Sequence, residues 1–172
     1  MSKGTIVQLS VSKGGVPKLA VPEAQVTHLG LAGDAHRDLE HHGGPERAVC
    51  LFPLETIHAL VAEGHTIMPG AAGENVTTEG LDWSLVVPDT RLLLGERVLL
   101  QVTKYTSPCF NIAPLFLDRN YGRISQKRHP GWSRVYARVL LEGRVRAGDP
   151  VRIVSEVEAG EVRRTLRGFS AQ

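Results

Sequence analysis

Short stretches rich in β-branched residues recur along the chain, and in most of them apolar and polar positions alternate as in a half-buried β-strand. The stretches are residues 5–11, 48–52, 98–102, 135–141 and 151–154. The second of them is continuously apolar, which is typical of a strand covered on both faces. The pattern therefore predicts a fold dominated by short strands.

One helical pattern follows the second stretch. Pro53 suits the first position of a helix, apolar residues recur at helical spacing between residues 54 and 61, and Gly64 would end the helix. A second short helix is predicted to begin near Asn111 and to include Phe116. Many strands with only one or two helices argue against repeated βαβ units.

We therefore predict a mainly β fold, a closed or nearly closed β-barrel with one or two short helices. The pattern glycine, acid, any residue, valine occurs at residues 95–98 and 148–151, and we interpret both as sharp bends that open a strand. We expect one domain over residues 4–157. Residues 158–172 are predicted to be a basic C-terminal tail or an extra strand.

Composition excludes several classes of function. A chain of 172 residues can bury a core without disulfides, and its two cysteines are too few for a disulfide scaffold. A net charge of +2 and 5% aromatic residues argue against a nucleic-acid surface. Without an apolar leader or an apolar run of membrane length, we expect a cytoplasmic protein with reduced thiols and no membrane partner.

The segment before the second strand is rich in groups that bind ligands. It contains three histidines, an arginine and a glycine pair: His36, His41, His42, Arg37, Gly43 and Gly44. Paired glycines let backbone N–H groups approach a phosphate or a polar ring. A plain surface loop explains the same composition and is favoured by composition alone. A zinc site is a third alternative, but the spacing matches no standard ligand pattern.

Two further segments carry polar side chains with two interpretations each. Asn75, in the small-residue segment 70–78, could bind the edge of a heterocycle, although a turn explains it better. Arg134, Tyr136 and Arg138 share one face at strand spacing. Arg138 could bind a phosphate with two hydrogen bonds, or this face could simply be solvated.

The two cysteines have different sequence surroundings. Cys109 follows Pro108 at a predicted helix start, with Lys104 nearby, and such surroundings favour a thiolate. A soft thiolate suits molybdenum, copper(I) or sulfur transfer. The alternative, a buried cysteine that acts as a small hydrophobic residue, is the interpretation we prefer for Cys50, which lies in an apolar strand.

Taken in order along the chain, these segments resemble the MOSC domain, the C-terminal module of molybdenum cofactor sulfurases that also occurs as free-standing bacterial proteins. The matching motifs are residues 12–18, 30–34, 42–45, 73–75, 108–109 and 131–139, together with the two bends at 95–98 and 148–151. The resemblance extends from about residue 4 to residue 155. No single motif is specific to this family, but the order of the motifs along the chain is.

The resemblance implies a barrel like that of pyruvate kinase, with a pocket around Cys109. In this family the cysteine is regarded as the ligand to molybdenum in a pyranopterin cofactor, or as a carrier of sulfur. Relatives reduce N-hydroxylated bases and amidoximes, and the family is also associated with pyridoxal phosphate binding. By this resemblance Cys109 is both the catalytic residue and the metal ligand.

The remaining site residues follow from the same resemblance. Lys13, Arg37 and Arg138 would neutralise the cofactor phosphate, with help from the N–H groups around Gly43 and Gly44. His42 and Asn75 would hold the pterin or donate a proton. Together with Cys109, these residues are the ones expected to bind the molybdenum cofactor.

The chain also departs from larger relatives. We expect it to lack the substantial C-terminal helical extension of some bacterial members and an attached ferredoxin or flavin domain, so electrons would come from a separate redox partner protein. Residues 105–107 replace the basic residue often found before the Pro-Cys pair. Three alternatives to a reductase stay open: a non-catalytic carrier of the cofactor, a metal-free persulfide carrier at Cys109, and a structural domain.

Overall fold

The computed structural model describes residues 2–36, 40 and 42–169. This part of the chain forms eleven strands: β1 (Lys3–Val11), β2 (Leu19–Val21), β3 (Glu23–Thr27), β4 (Gly30–Leu31), β5 (Val49–Pro53), β6 (Val76–Glu79), β7 (Arg91–Leu94), β8 (Val98–Tyr105), β9 (Val135–Leu141), β10 (Gly143–Arg146) and β11 (Pro150–Val154). Its two α-helices are α1 (Leu54–Ala62) and α2 (Glu156–Phe169). Short 3₁₀ helices span Pro45–Arg47, Trp83–Leu85, Phe110–Leu115, Leu117–Arg119 and Tyr121–Ile124.

Seven strands close into a barrel, in the order β1, β11, β7, β8, β9, β5, β6 and back to β1. Strands β5 and β6 are parallel, whereas the other neighbouring pairs are antiparallel. The closing contact joins the first and last strands, with Gly4 opposite Val151. Strand β2 pairs with the end of β1, and β10, β3 and β4 form a small separate sheet. The predicted closed barrel is confirmed.

Alternating side chains fill the barrel from β7 and β8. Leu92 and Leu94 of β7 belong to the central core, and so do Val98 and Leu100 of β8. Leu93, between the two β7 core residues, points to the opposite face because successive strand residues do so. Both faces of this hairpin are therefore apolar, and the outer face needs a cover.

Helix α2 provides that cover and corrects the prediction of a tail or extra strand for residues 158–169. Ala159 of α2 is buried against Leu93, and Val162 packs beside it. Ser155 precedes the helix, and its Oγ accepts a hydrogen bond from the Glu158 backbone N–H at 3.1 Å. Residues 158–169 are neither a strand nor a tail, because apolar residues at helical spacing and a Ser-x-x-Glu start favour a helix.

The predicted turns and helices occur close to their expected positions. Gly95 and Gly148 adopt positive φ values of 60° and 95°, so both bends are confirmed. The Gly95 N–H also donates to the Pro150 carbonyl at 2.8 Å, which brings the two bends together. Helix α1 starts directly after Pro53, whereas the second predicted helix is the 3₁₀ helix Phe110–Leu115. Among the described residues, no helix combines the length and the apolarity needed to span a membrane.

Candidate functional site

A cavity of about 280 Å³ lies where several loops meet the barrel strands β5 and β9. Its volume is near the lower end of the range for small-molecule sites. The polar residues around it are Lys18, His36, His42, Arg47, Cys50, Asn75, Cys109, Asn111, Arg134 and Tyr136. No aspartate or glutamate is among the described lining residues. The cavity wall is therefore cationic.

Cys109 lies at this cavity on an irregular segment between β8 and the 3₁₀ helix Phe110–Leu115. The residue is half-buried, and its backbone is extended. Lys104, expected to act near the thiol, is exposed on β8 and is not among the lining residues. The positive charge near Cys109 therefore comes from other parts of the chain.

Arg134 contributes a buried positive charge to the cavity wall, and the sequence did not single it out as a binding residue. Its side chain is only 6% exposed, and one terminal nitrogen donates to the Ala72 carbonyl. Its Nε has no hydrogen-bond partner among the described residues, and no described carboxylate lies within 4.0 Å of its guanidinium. A buried donor without a partner is costly, so this cavity suits an anion.

A second buried cation, Lys18, belongs to a hydrogen-bonded group centred on Asp34. Lys18 Nζ lies 2.6 Å from Asp34 Oδ1, and Asn75 Nδ2 donates to Asp34 Oδ2 at 2.8 Å. Asn75 Nδ2 also donates to the Ser10 carbonyl at 3.2 Å, and Asn75 Oδ1 accepts from the Cys50 N–H at 3.0 Å. Asn75 lines the cavity as predicted, but both of its amide hydrogens already have protein acceptors.

The second cysteine of the chain lines the same cavity. Cys50, on β5, is only 4% exposed, and its Sγ lies 3.9 Å from Thr106 Oγ1. Burial raises the pKa of the Cys50 thiol, against a smaller opposing effect of Arg134. The prediction that Cys50 is a buried strand residue is confirmed. Its place beside the cavity was not predicted, because a one-dimensional pattern does not show which core positions border a void.

Two histidines and a tyrosine complete the polar wall. Burial lowers the pKa of His36, although Asp34 opposes the shift. His42 Nδ1 lies 3.0 Å from the Tyr136 hydroxyl, and burial raises the pKa of Tyr136 to about 12. His36 is therefore held as a neutral imidazole near pH 7, and Tyr136 as a protonated phenol. The Tyr136–His42 pair keeps an exchangeable proton beside the cavity.

Two predicted cofactor ligands lie elsewhere. Lys13 is exposed and does not line the cavity. Arg138 is also outside it, 43% exposed and paired with Glu46 at 3.0 Å. Arg138 shares a strand face with Arg134 but lies four residues further along, about 13 Å at the usual strand rise. The buried cations are instead Lys18 and Arg134.

The glycine pair shapes the histidine loop and does not line the cavity. Gly43 and Gly44 have φ values of 79° and 82°, and a Cβ at Gly43 would lie 2.8 Å from the His36 ring. Gly43 therefore allows the close packing of His36. Arg37 and His41 lie outside the described residues. Among the residues that are described, no three His, Cys, Asp or Glu side chains form a group that could hold a metal ion.

A closed barrel with a half-buried thiol and a cationic cavity defines a class of protein suited to an anionic ligand. Sequence comparison identifies the family: residues 38–152 match the model of the MOSC domain. The chain therefore belongs to the MOSC domain family, and the resemblance found in its motifs is confirmed.

Curated relatives agree with this assignment. Protein YiiM of Escherichia coli is 34% identical over 142 residues, which cover 78% of this chain and 61% of that protein. The uncharacterized protein YflK of Bacillus subtilis is 35% identical over 131 residues, which cover 74% of this chain and 57% of that protein. A Gibberella moniliformis protein named "Reductase" is 33% identical, but the match covers only 22% of it. The chain thus spans about three fifths of its bacterial relatives.

Solved structures share the fold. The crystal structure of YiiM from E. coli superposes with a TM-score of 0.66 at 28% identity and covers 89% of this chain and 70% of that one. YiiM from Geobacillus stearothermophilus has the same TM-score at 26% identity, with 88% and 75% covered. These similarities extend well beyond the residues that surround the cavity.

The described residues fit the molybdenum cofactor that the family resemblance implies. That cofactor carries a phosphate and takes a soft ligand at its metal. Cys109 supplies a half-buried thiol at the cavity, and Arg134 lines the same cavity with a buried Nε that has no protein acceptor among the described residues. The donor set therefore matches both ends of such a ligand.

Proposed function

We propose that this chain binds a molybdenum cofactor in the cavity, with the Cys109 thiolate as the protein ligand to the metal, and reduces N-hydroxylated compounds there. One observation supports this proposal above the others: a half-buried thiol and three cationic side chains line a cavity in which no described lining residue is a carboxylate. When bound, the cofactor supplies the two-electron chemistry that cleaves an N–O bond.

The cations bind and orient the anionic group. Arg134 is fixed by its hydrogen bond to the Ala72 carbonyl and lines the cavity, and its buried Nε has no protein acceptor among the described residues. Lys18 forms an ion pair with Asp34, so the positive charge of its ammonium group is partly neutralised. Arg47 donates to the Glu40 carbonyl and lines the cavity as well. Arginine is suited to planar, two-point recognition of a phosphate.

The Tyr136–His42 pair provides one of the two protons that two-electron N–O cleavage consumes, and the other comes from solvent. The raised pKa of Tyr136, about 12, keeps its hydroxyl protonated and able to donate to His42 Nδ1 at 3.0 Å. In that tautomer His42 carries its proton on Nε2. Asn75 acts as a positioning residue, because its amide is bonded to Asp34, Ser10 and Cys50 and keeps the cavity wall in place.

The Cys109→Ser variant tests the ligand assignment, with Cys50→Ala as its matched control. Both cysteines line the same cavity, but Cys50 is buried whereas Cys109 is half-buried. After native purification, elemental analysis should find molybdenum reduced at least about tenfold in Cys109→Ser and near the wild-type content in Cys50→Ala. Circular dichroism checks that both variants fold. Equal molybdenum in Cys109→Ser and wild type would show that another residue is the ligand.

A turnover assay separates a reductase from a carrier that uses the same cavity. The protein is loaded with cofactor and assayed with 6-hydroxylaminopurine or benzamidoxime and an artificial reductant. The artificial reductant replaces a separate redox partner protein, which we propose for the cell. The match to part of a protein named "Reductase" favours turnover. Molybdenum retention without turnover would indicate the carrier, and a persulfide on Cys109 in intact mass spectra would indicate sulfur transfer.

A further inference from the structure

A second depression, of about 390 Å³, lies next to the cysteine segment. We call it the arginine cleft. Its polar lining consists of Ser107, Arg119, Asn120, Tyr121, Ser125 and Arg128. Pro108 also lines the arginine cleft, whereas the next residue, Cys109, lines the cavity. Consecutive residues of the chain therefore line the two depressions.

The arginine cleft is rich in donors without protein acceptors. In the described part of the chain, no carboxylate lies within 4.0 Å of the guanidinium nitrogens of Arg119 or Arg128. Three hydroxyl-bearing residues, Ser107, Tyr121 and Ser125, also line the cleft. Two guanidinium groups beside three hydroxyls form a donor set that matches the oxygens of a phosphate monoester.

The local structure holds both arginines at the cleft. Arg119 and the preceding Asp118 have φ values of 56° and 53°, a left-handed backbone that L residues with side chains rarely adopt. The Arg119 guanidinium lies 4.9 Å from the centre of the Phe110 ring. A Cβ at Gly122 would lie 2.6 Å from Arg128 Nη1, so this glycine makes room for the guanidinium. Such unusual backbone often marks a functional site.

We propose that the arginine cleft binds a phosphate monoester on the substrate, so that the substrate class is an N-hydroxylated nucleotide or a similar phosphate ester. Ser107 and Pro108 line the cleft and Cys109 lines the cavity, so one short segment of the chain borders both the proposed phosphate site and the site of the proposed reaction. This inference rests on the proposed reductase function, and it adds the part of the substrate that determines affinity.

The Arg119→Gln/Arg128→Gln double variant tests the inference. The control, Arg164→Gln/Arg167→Gln, removes the same charge from α2, whose residues line neither depression. Calorimetric titration with adenosine 5′-monophosphate and with adenosine requires no molybdenum. The cleft variant should bind the monophosphate at least about tenfold more weakly and adenosine equally well, while the control should match the wild type. Equal binding of the monophosphate by the cleft variant and the wild type overturns the inference.

A kinetic comparison on the cofactor-loaded protein supplies the second readout. For N6-hydroxyadenosine 5′-monophosphate, KM should rise about tenfold in the cleft variant with kcat little changed, because the phosphate binds away from the reacting nitrogen. For N6-hydroxyadenosine, KM should not change. A variant that alters only the KM for a protein reductase would assign the cleft to a partner and overturn the inference. If wild-type protein turns over neither compound, the proposed function fails, while the titration still decides the phosphate site.

Discussion

Cys50 and Cys109 border one cavity, yet the surroundings of the two thiols differ. Cys50 belongs to a barrel strand, contacts Thr106 and is almost fully buried, so burial raises the pKa of its thiol. Cys109 belongs to an irregular segment after β8 and is half-buried. The difference shows that the supporting element, more than the cavity, determines which sulfur is available for chemistry.

Alkylation rates should reveal the largest difference between the two regions. Under native conditions iodoacetamide should modify Cys109 at least about 100-fold faster than Cys50, because exposing Cys50 requires local opening that costs about 3 kcal/mol or more. Peptide mass spectrometry over time measures both rates. In denaturant the two rates should become similar. If Cys50 reacts as fast as Cys109 in the native protein, the contrast between the regions is wrong.

The amide that supports the Cys50 side of the cavity should matter more than the amide on the Cys109 side. Asn75→Ala leaves the Cys50 N–H without its acceptor and removes a hydrogen bond to Asp34, and we expect a loss of about 2–4 kcal/mol in the free energy of unfolding. Asn111→Ala, which changes an exposed cavity residue, should cost less than about 0.5 kcal/mol. Urea denaturation measures both, and equal losses would contradict the role assigned to Asn75.

His36 should give the smallest effect, a dependence of stability on pH. Burial lowers the pKa of His36 in the folded protein below the ordinary value of 6.5. The unfolded chain therefore binds a proton first as the pH falls, and stability decreases once the pH passes below about 6.5. His36→Gln should weaken this decrease, whereas His58→Gln, on the exposed side of α1, should not. Denaturation at pH 7.5 and 5.5 tests both variants, and an unchanged profile in His36→Gln would refute the effect.

The barrel was predictable because its strands have local signals. The alternation in residues 98–102 and 135–141 and the glycines at the two bends are visible without any knowledge of the fold. Helix α2 also had a signal, the Ser155-x-x-Glu158 start, which we did not weigh against the basic composition of the segment. Strand pairing itself, including the parallel β5–β6 pair, has no such local signal.

The site was predictable at Cys109 but not at its cations. Lys18 and Arg134 are buried because of Asp34 and the Ala72 carbonyl, which are 16 and 62 residues away in sequence. Nothing in a local pattern distinguishes them from Lys13 and Arg138, which are solvent-exposed. Both buried cations nevertheless lie within motifs that matched the family, residues 12–18 and 131–139. The family motifs therefore identified the segments that supply the cations of the site. Tertiary contacts determine which residue in each segment is buried at the cavity.

The pairing of β1 with β11 has a consequence for synthesis on the ribosome. Lys3, Gly4 and Thr5 acquire their partners on this edge only from residues 150–152, almost the whole chain later. Until then the nascent protein exposes unpaired backbone groups at its first strand, a template for unwanted pairing with other chains. We expect translation pauses before residue 150, or a shortage of chaperones that bind extended segments, to lower the yield of this protein through aggregation of such open intermediates.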